Sequence, residues 1–588
     1  MADTGVCSGK FLFMSIDHTH AADETSAPAQ PAVDTALAQL AVGEKRWAVL
    51  PLEERRRLLA GVRELTAEHA AAWVDAAIAY KQLDPASPLV GEEWISGPYA
   101  FAAGVGVLEQ SLASLAAGRS PLHAAKFGEA GGRTTVRVLP TSMFDSLLMS
   151  GFKAEVWLLP GVGRDHAVAA AGLAQRNPAA THGVGVVLGA GNITSIAPLD
   201  VLYELIAHNR VAALKLNPIT DPMFAPLSSV LEPLIEVGAV RILTGGADVG
   251  EYLVHHPSVA HVHMTGSQRT HDAIVWGVGE EAVQRRAAGT PRLDKPISSE
   301  LGGVSPTIVL PGKWSDADLK FQANHIATQR LHNGGYNCVA AQGVVISADW
   351  EQKDEFLAQL RKAIAAAPRR AAYYPGSDDR VAAARSAYPN ADDLGGRLLC
   401  TGLRADRSEE LLHTEYFAPV LGVVELPGTG ADFATAATAA ANEQFVGTLG
   451  VNIVAHPKTI RSLGAAFDMM VEQLRYGTIA INAWTGVGFL TGAASWGAYP
   501  GHTIDDVQSG IGVVHNGFLI DKPERTVVRG PFRPSPRSLL HGELSLSPKP
   551  PWFVNNKTAA TTGRRLVAFA GKPGWSHLPG IFASALRG

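Results

Sequence analysis

The sequence predicts an α/β chain: a doubly wound parallel sheet followed by a second α/β domain. Three observations carry this. From Gly183 onward, strand-like and helix-like stretches alternate. A fresh α/β block opens at Glu300 and runs to about Gly501. The length of 588 residues is enough for several domains, each with its own core. Repeated βα units make a parallel, doubly wound sheet, and ligands of such sheets bind at the carboxyl ends of the strands.

The elements follow in order. The arm at residues 1–30 is polar, rich in Ala, Pro and Ser from Asp23 on, and reads as disordered. Residues 31–110 space their apolar side chains three and four apart, as a helix does. Residues 131–163 hold two strand-like runs, at Thr134–Leu139 and at Ala154–Leu159, and read as an outlying ribbon. Then come the strands Gly183–Gly189, Val211–Leu216, Ala239–Thr244 and Val259–Met264, with helices between them. In the second block, Pro306–Leu310 and Gly343–Ser347 are strands, and 317–331 and 352–366 are helices. Beyond Gly517 the chain is rich in Pro, Gly and Arg and reads as an irregular extension.

Composition excludes several classes. The net charge of −5 comes without basic blocks, which argues against nucleic acid. No run of eighteen apolar residues exists, so no membrane span is expected. Three cysteines without a CxxC spacing fit a reduced, cytoplasmic chain with neither a disulfide framework nor a zinc site. His261 and His263 share a strand face, but no third ligand stands at matching spacing, so a structural role is expected and no metal.

Several motifs can carry chemistry. Cys338 follows a glycine-rich turn, Asn333-Gly-Gly-Tyr-Asn-Cys338, which can expose a thiolate nucleophile. A buried structural cysteine is the plainer alternative. Glu300, before Leu-Gly-Gly at a domain junction, can act as a general base. Asn192, in Gly189-Ala-Gly191-Asn192 at a strand end, can donate to an oxyanion; a turn asparagine is the alternative. Gly246 to Gly250 and Thr265-Gly266-Ser267 open helices after strands, where backbone N–H groups favour phosphate.

In this order the motifs resemble the aldehyde dehydrogenase superfamily over roughly residues 36–512. Lys215, in Leu-Lys-Leu-Asn-Pro, is similar to the family lysine on the adenosine ribose. Gly246, Gly250, Gly266 and Ser267 match the family's next two turns. Glu300-Leu-Gly-Gly resembles the segment of the general base, Cys338 that of the nucleophile, and Asn192 the oxyanion asparagine. Glu415-Tyr-Phe417-Ala-Pro-Val resembles the segment holding the nicotinamide ribose and ring. The resemblance implies a Rossmann-like NAD(P)-binding domain (31–130 and 164–298), a β oligomerisation ribbon (131–163), an α/β catalytic domain (299–501) and an extension (502–588) that either joins subunits or covers the substrate tunnel. It implies oxidation of an aldehyde to a carboxylic acid with NAD or NADP, through a cysteine thiohemiacetal and thioester, in a homodimer or homotetramer. A CoA-acylating enzyme, a cysteine hydrolase and an inactive family scaffold are the other readings. Ala190-Gly191 replaces the family's Pro-Trp, Gly335-Tyr336 its Gly-Gln, and Pro218 the acid expected three residues after Lys215, which leaves NAD against NADP open.

Overall fold

The computed structural model describes residues 29–406 and 409–588; the arm at 1–28, with Cys7, lies outside the described residues. Residues 29 and 30, assigned to the arm from composition, open the first helix instead. Helices α1 (Ala29–Val49), α2 (Leu52–Glu68), α3 (Ala70–Tyr80), α4 (Val90–Trp94) and α5 (Ala100–Ala116) come first. Strands β1 (Phe127–Ala130), β2 (Arg133–Leu139) and β3 (Lys153–Leu158) follow, with α6 (Met143–Leu148) inserted and α7 (Arg164–Ala170) after them. The first βα array is β4 (Val184–Leu188), α8 (Ile196–Ile206), β5 (Val211–Lys215), α9 (Phe224–Val230), α10 (Glu232–Glu236), β6 (Val240–Leu243), α11 (Ala247–His255), β7 (Val259–Gly266), α12 (Gln268–Trp276), α13 (Gly279–Ala288) and β8 (Ile297–Leu301).

The second block holds β9 (Thr307–Val309), α14 (Asp316–Leu331), β10 (Gly343–Ser347), α15 (Lys353–Ala366), α16 (Ser377–Ala387), β11 (Asp392–Asp393), β12 (Leu398–Leu403) and β13 (Val420–Leu426). It continues with α17 (Gly430–Gln444), β14 (Gly450–Val454), α18 (Pro457–Leu463), α19 (Ala465–Gln473), β15 (Thr478–Ile481), α20 (Gly486–Leu490) and β16 (Ser495–Gly497). The chain closes with β17 (Gly510–Ile511), β18 (Val513–His515), β19 (Pro523–Arg529), α21 (Ala559–Gly571) and α22 (Leu578–Ala585).

Two sheets organise the molecule. The first runs β17-β8-β7-β4-β5-β6 and is parallel except for β17. Its strands β4 and β5 (Val-Gly-Val-Val-Leu and Val-Ala-Ala-Leu-Lys) are almost wholly buried, as strands covered by helices on both faces must be. The second sheet has eleven strands, β1-β2-β3-β19-β15-β14-β9-β10-β13-β12-β11, parallel from β19 through β12.

Three expectations about boundaries change. Glu300 lies on β8, the fifth parallel strand of the first sheet, so that sheet reaches past residue 298 and places the glutamate at the junction. The expected ribbon begins at Phe127, and β3 pairs antiparallel with β19 of the same chain, so ribbon and second domain form one continuous sheet. Residues 510–529 are three strands within the two main sheets and a small β16–β18 pair, not an irregular extension. β19 hides from a hydrophobicity pattern because Glu524 and Arg525 are buried in it. The Arg525 guanidinium donates to the carbonyls of Val471, Glu472 and Leu474. From residue 530 onward the described chain adds no further strand to either sheet. That stretch includes two regular helices, α21 and α22, with α21 packed against α2 and α4.

Candidate active site

The turn carrying Cys338 is built by α14 and three consecutive left-handed residues, Asn333, Gly334 and Gly335 (φ 52°, 71° and 87°). A side chain at Gly335 would put Cβ 2.8 Å from the Arg330 guanidinium and 3.0 Å from the Ala418 carbonyl, so only glycine fits there. Arg330 is fully buried and donates to the carbonyls of Gly335, Ala340 and Ala418, which ties the turn to the start of β13. Burial lowers its guanidinium to about 10. Tyr336 is also buried. Its hydroxyl meets Ser377 at 2.7 Å and its ring stacks on Tyr374.

A buried ionic lattice holds the front of this turn. Glu92 accepts from the Asn333 backbone N–H at 2.9 Å and from Arg370 at 2.6 Å. Arg370 also donates to Glu93 at 2.6 Å, and Lys81 donates to Glu93 at 2.8 Å. Burial alone would raise the Glu93 carboxyl, but Lys81 and Arg370 outweigh it and hold the group below its ordinary value.

Cys338 faces Glu300. Its thiol donates to Glu300 Oε1 at 3.1 Å. Burial first, then the charges of Glu300 and Glu415, push the thiol well above its ordinary value; its own backbone N–H offsets part of this. Burial, with the charge of Asp200 next, raises Glu300 to about 7, and the neighbouring Trp496 indole offsets part of the rise. Glu300 Oε2 has no hydrogen-bond partner. Asn192 is buried beside the turn and gives one side-chain N–H to the Tyr336 carbonyl at 3.0 Å. Asn333 braces the same carbonyl and that of Asn192. Glu415 lies against Gly302, where any Cβ would come within 2.0 Å of its Oε1. That oxygen is buried without a partner, and burial, opposed by Arg330, raises the carboxyl to about 8.

The remaining predicted residues separate from these by position. Lys215 ends β5, Gly246 caps α11, Gly250 lies within α11, and Gly266 and Ser267 end β7 and cap α12. All lie at the carboxyl edge of the first sheet. Ser267 accepts from the Thr270 N–H and so is an N-cap, while its neighbouring helix start keeps backbone donors at the same edge. Phe417, at a positive φ of 44°, sits edge-on to Tyr374 with ring centroids 4.8 Å apart.

Residues that sequence reasoning passed over complete the site. On the shared face of β7 and β8, His263 pairs in register with Ser298 and Thr265 with Glu300. Asp200 of α8 accepts from Thr265 at 3.0 Å and lies 3.4 Å from His263 Nε2. One turn on, Glu204 lies 3.0 Å from His261 Nδ1. Desolvation works against a charged His263, but Asp200 outweighs it and raises the imidazole. His515 is buried nearby and falls to about 4 by burial. The signal was present: Asp200 and Glu204 stand four apart in an otherwise apolar, wholly buried helix. Asp221 is a second omission. It lies beside Lys215, its Oδ1 is buried without a partner, and burial raises it against the opposing lysine.

The fold and the site thus define a two-sheet α/β protein with a thiol–carboxyl pair at the junction of its domains. The sequence model of the aldehyde dehydrogenase family matches residues 177–375. A D-glyceraldehyde dehydrogenase (NADP(+)) of Thermoplasma acidophilum is 26% identical over 33% of this chain and 41% of its own length. A 3-sulfolactaldehyde dehydrogenase of Priestia aryabhattai is 30% identical over 28% of each chain. The chain therefore spans less than half the length of the curated relatives it matches. Solved structures align far more widely. Aldehyde dehydrogenase C of Pseudomonas syringae, with NAD+ and octanal, covers 85% of this chain and 88% of its own, at TM-score 0.56 and 18% identity. A Mycobacterium tuberculosis aldehyde dehydrogenase with NAD+ covers 85% and 89%, at TM-score 0.55 and 17% identity. Residues 177–375 are thus similar in sequence to the aldehyde dehydrogenase family, and the described chain has the fold of the aldehyde dehydrogenases it aligns with.

Proposed function

We propose that this protein oxidises an aldehyde to a carboxylic acid with NAD(P)+, using Cys338 as nucleophile and Glu300 as base. The observation that carries this reading is the 3.1 Å contact between Cys338 Sγ and Glu300 Oε1 at the domain junction.

The residues fit a dinucleotide. Glu415 Oε1 is an orphaned buried acceptor suited to a ribose hydroxyl, and Lys215, Gly246, Gly250, Gly266 and Ser267 line one edge of the parallel sheet, where such ligands bind. Phe417 supplies a flat apolar contact for the nicotinamide. When bound, the cofactor accepts a hydride.

The chain's own groups do the rest. Glu300 takes the Cys338 proton across their hydrogen bond as sulfur attacks the carbonyl carbon. The second side-chain N–H of Asn192 and the backbone N–H of Cys338 hold the resulting oxyanion; one such donor is worth about 3–4 kcal/mol in the transition state. Loss of hydride leaves a thioester on Cys338. After Glu300 has passed that first proton to solvent, it draws a proton from water as the oxygen attacks the thioester carbon; the C–S bond then breaks, the acid leaves, and the thiolate takes the proton back from Glu300. With its carboxyl near 7, Glu300 is poised to hold and give up a proton near neutrality. The decisive experiment is Cys338→Ala. Aldehyde-dependent NADH or NADPH formation should drop by on the order of 10⁴-fold, with thermal unfolding unchanged. Retained turnover would assign the chemistry elsewhere.

A further inference from the structure

Cys338 opens into a small apolar pocket of about 40 Å³, lined by Ile193, Ile196, Trp484, Phe489 and Trp496 among others. Three further residues of that lining, Ile95, Leu490 and Trp552, also line a second cavity ten times larger, of about 400 Å³. The pocket at Cys338 and the larger cavity therefore adjoin, with those three side chains standing between them. The outer chamber is walled on one side by α5, with Ala102 and Gly106, and by Phe144 of α6. Its other wall comes from the chain beyond 530: Trp552, Leu566, Phe569 and Phe582. More of its accessible lining is apolar than polar, and its size falls within the range of small-molecule sites.

This wall is a fixed part of the fold. Helix α21 sits so close to α4 that a Cβ on Gly91 would lie 2.2 Å from Ala559 Cβ, and one on Gly563 would lie 2.6 Å from Trp94 Cβ. Trp552, Leu566 and Ile581 are buried. Phe569 and Phe582 are half-buried, and the Phe144 and Phe569 rings meet edge-on at 5.2 Å.

We infer that the C-terminal segment builds a hydrocarbon-binding chamber, and that the aldehydes this protein prefers carry an extended apolar body. The carbonyl reaches Cys338 past Ile95, Leu490 and Trp552, while the alkyl or aryl-alkyl body fills the chamber beyond. This rests on the aldehyde-oxidising reading above, but the chamber itself can be tested apart from it.

The experiment measures kcat/KM for a series of n-alkanals from propanal to dodecanal, in the full chain and in two variants. Each methylene that enters the chamber should raise kcat/KM about fourfold, the equivalent of about 0.8 kcal/mol, until the space is full. Gly106→Phe fills the chamber. Its new Cβ meets only the flexible Arg63 side chain, Cδ at 3.6 Å and Nη1 at 3.9 Å, so the fold should tolerate it. Dodecanal should lose at least tenfold and propanal less than twofold. Phe582→Ala, a lighter change should the first variant not fold, should lower dodecanal severalfold with propanal unchanged. Dodecan-1-ol, which has no carbonyl to attack, should raise the unfolding temperature of the unaltered chain and not of Gly106→Phe. Aldehyde oxidation without any chain-length dependence, or an unchanged dodecanal-to-propanal ratio in the variants, would overturn the chamber and leave the proposed activity intact. Dodecan-1-ol stabilisation with no oxidation of any aldehyde would keep the chamber and overturn the activity.

Discussion

Two buried charged clusters flank the same Cys338 turn, and they are built on opposite rules. In the lattice of Lys81, Glu92, Glu93 and Arg370, two cations face two anions at 2.6–2.8 Å, and Glu92 also takes the Asn333 N–H. In the cluster of Asp200, Glu300, Cys338 and His515, the acids outnumber their partners. Glu300 Oε2, Asp200 Oδ1 and His515 Nε2 are buried with no hydrogen bond. The first cluster holds Glu93 firmly ionised; the second lifts Glu300 to about 7 and drops His515 to about 4. Matched charges fix geometry. Unmatched charges in a low-dielectric pocket leave a proton easy to move, which is what acid–base chemistry requires.

The sharpest way to break this contrast is to remove one partner from the matched lattice. Arg370→Met leaves Glu92 and Glu93 with Lys81 alone, and should destabilise the protein by about 3–5 kcal/mol in chemical denaturation. The surviving folded fraction should keep its pH profile. A shifted profile would mean that the lattice takes part in the chemistry.

Glu300→Gln should do the reverse, slowing steady turnover by about 10²–10⁴-fold while making the fold more stable at pH 8. The folded carboxyl keeps its proton up to about 7, whereas the unfolded one loses it near its ordinary value of 4.5. Its contribution to stability is therefore complete below about pH 4.5 and lost as pH rises through 7. A permanently neutral glutamine escapes that loss, so denaturation should show a gain of about 3 kcal/mol at pH 8 and little difference at pH 4. Equal effects at both pH values would contradict the unmatched-charge account.

Smaller effects refine the picture. Asp200→Asn removes the negative charge that helps lift Glu300, so the acid limb of the kcat/KM profile should move to lower pH. A limb that stays in place would remove Asp200 from the tuning of the base. Asp221 stands in the neighbourhood where Pro218 leaves no acid, with its carboxyl beside Lys215. Such an acid favours a ribose 2′-hydroxyl and repels a 2′-phosphate. Asp221→Ser should raise the NADP-to-NAD ratio of kcat/KM by about tenfold, about 1.4 kcal/mol of discrimination. An unchanged ratio would place the choice of cofactor in other residues.

Much of the site was legible residue by residue. Cys338 meets Glu300, Asn192 bonds to the Tyr336 carbonyl of the same turn, and Lys215, Gly246, Gly250, Gly266 and Ser267 lie at one sheet edge, because each stands at a strand end or tight turn that local pattern reveals. What escaped were partners distant in the chain. Lys81 and Asn333 are 252 positions apart and meet at 3.3 Å. His261 and His263 read as structural on their strand, yet their neighbours Asp200 and Glu204 belong to a different element. The last strand, β19, went unread because its buried Glu524 and Arg525 imitate a surface loop.

By itself, then, the sequence determined the alternation of strands and helices, the order of the motifs and the choice of Cys338 and Glu300 as the proposed nucleophile and base. These depend on periodicity and on residue types that local backbone geometry selects. Only the tertiary structure decided the protonation of Glu300, the bracing of the nucleophile turn by an ionic lattice, the continuity of ribbon and second sheet, and the chamber walled by the last helices. Each of these is a product of burial and of fields between groups far apart in the chain, and no local pattern encodes them.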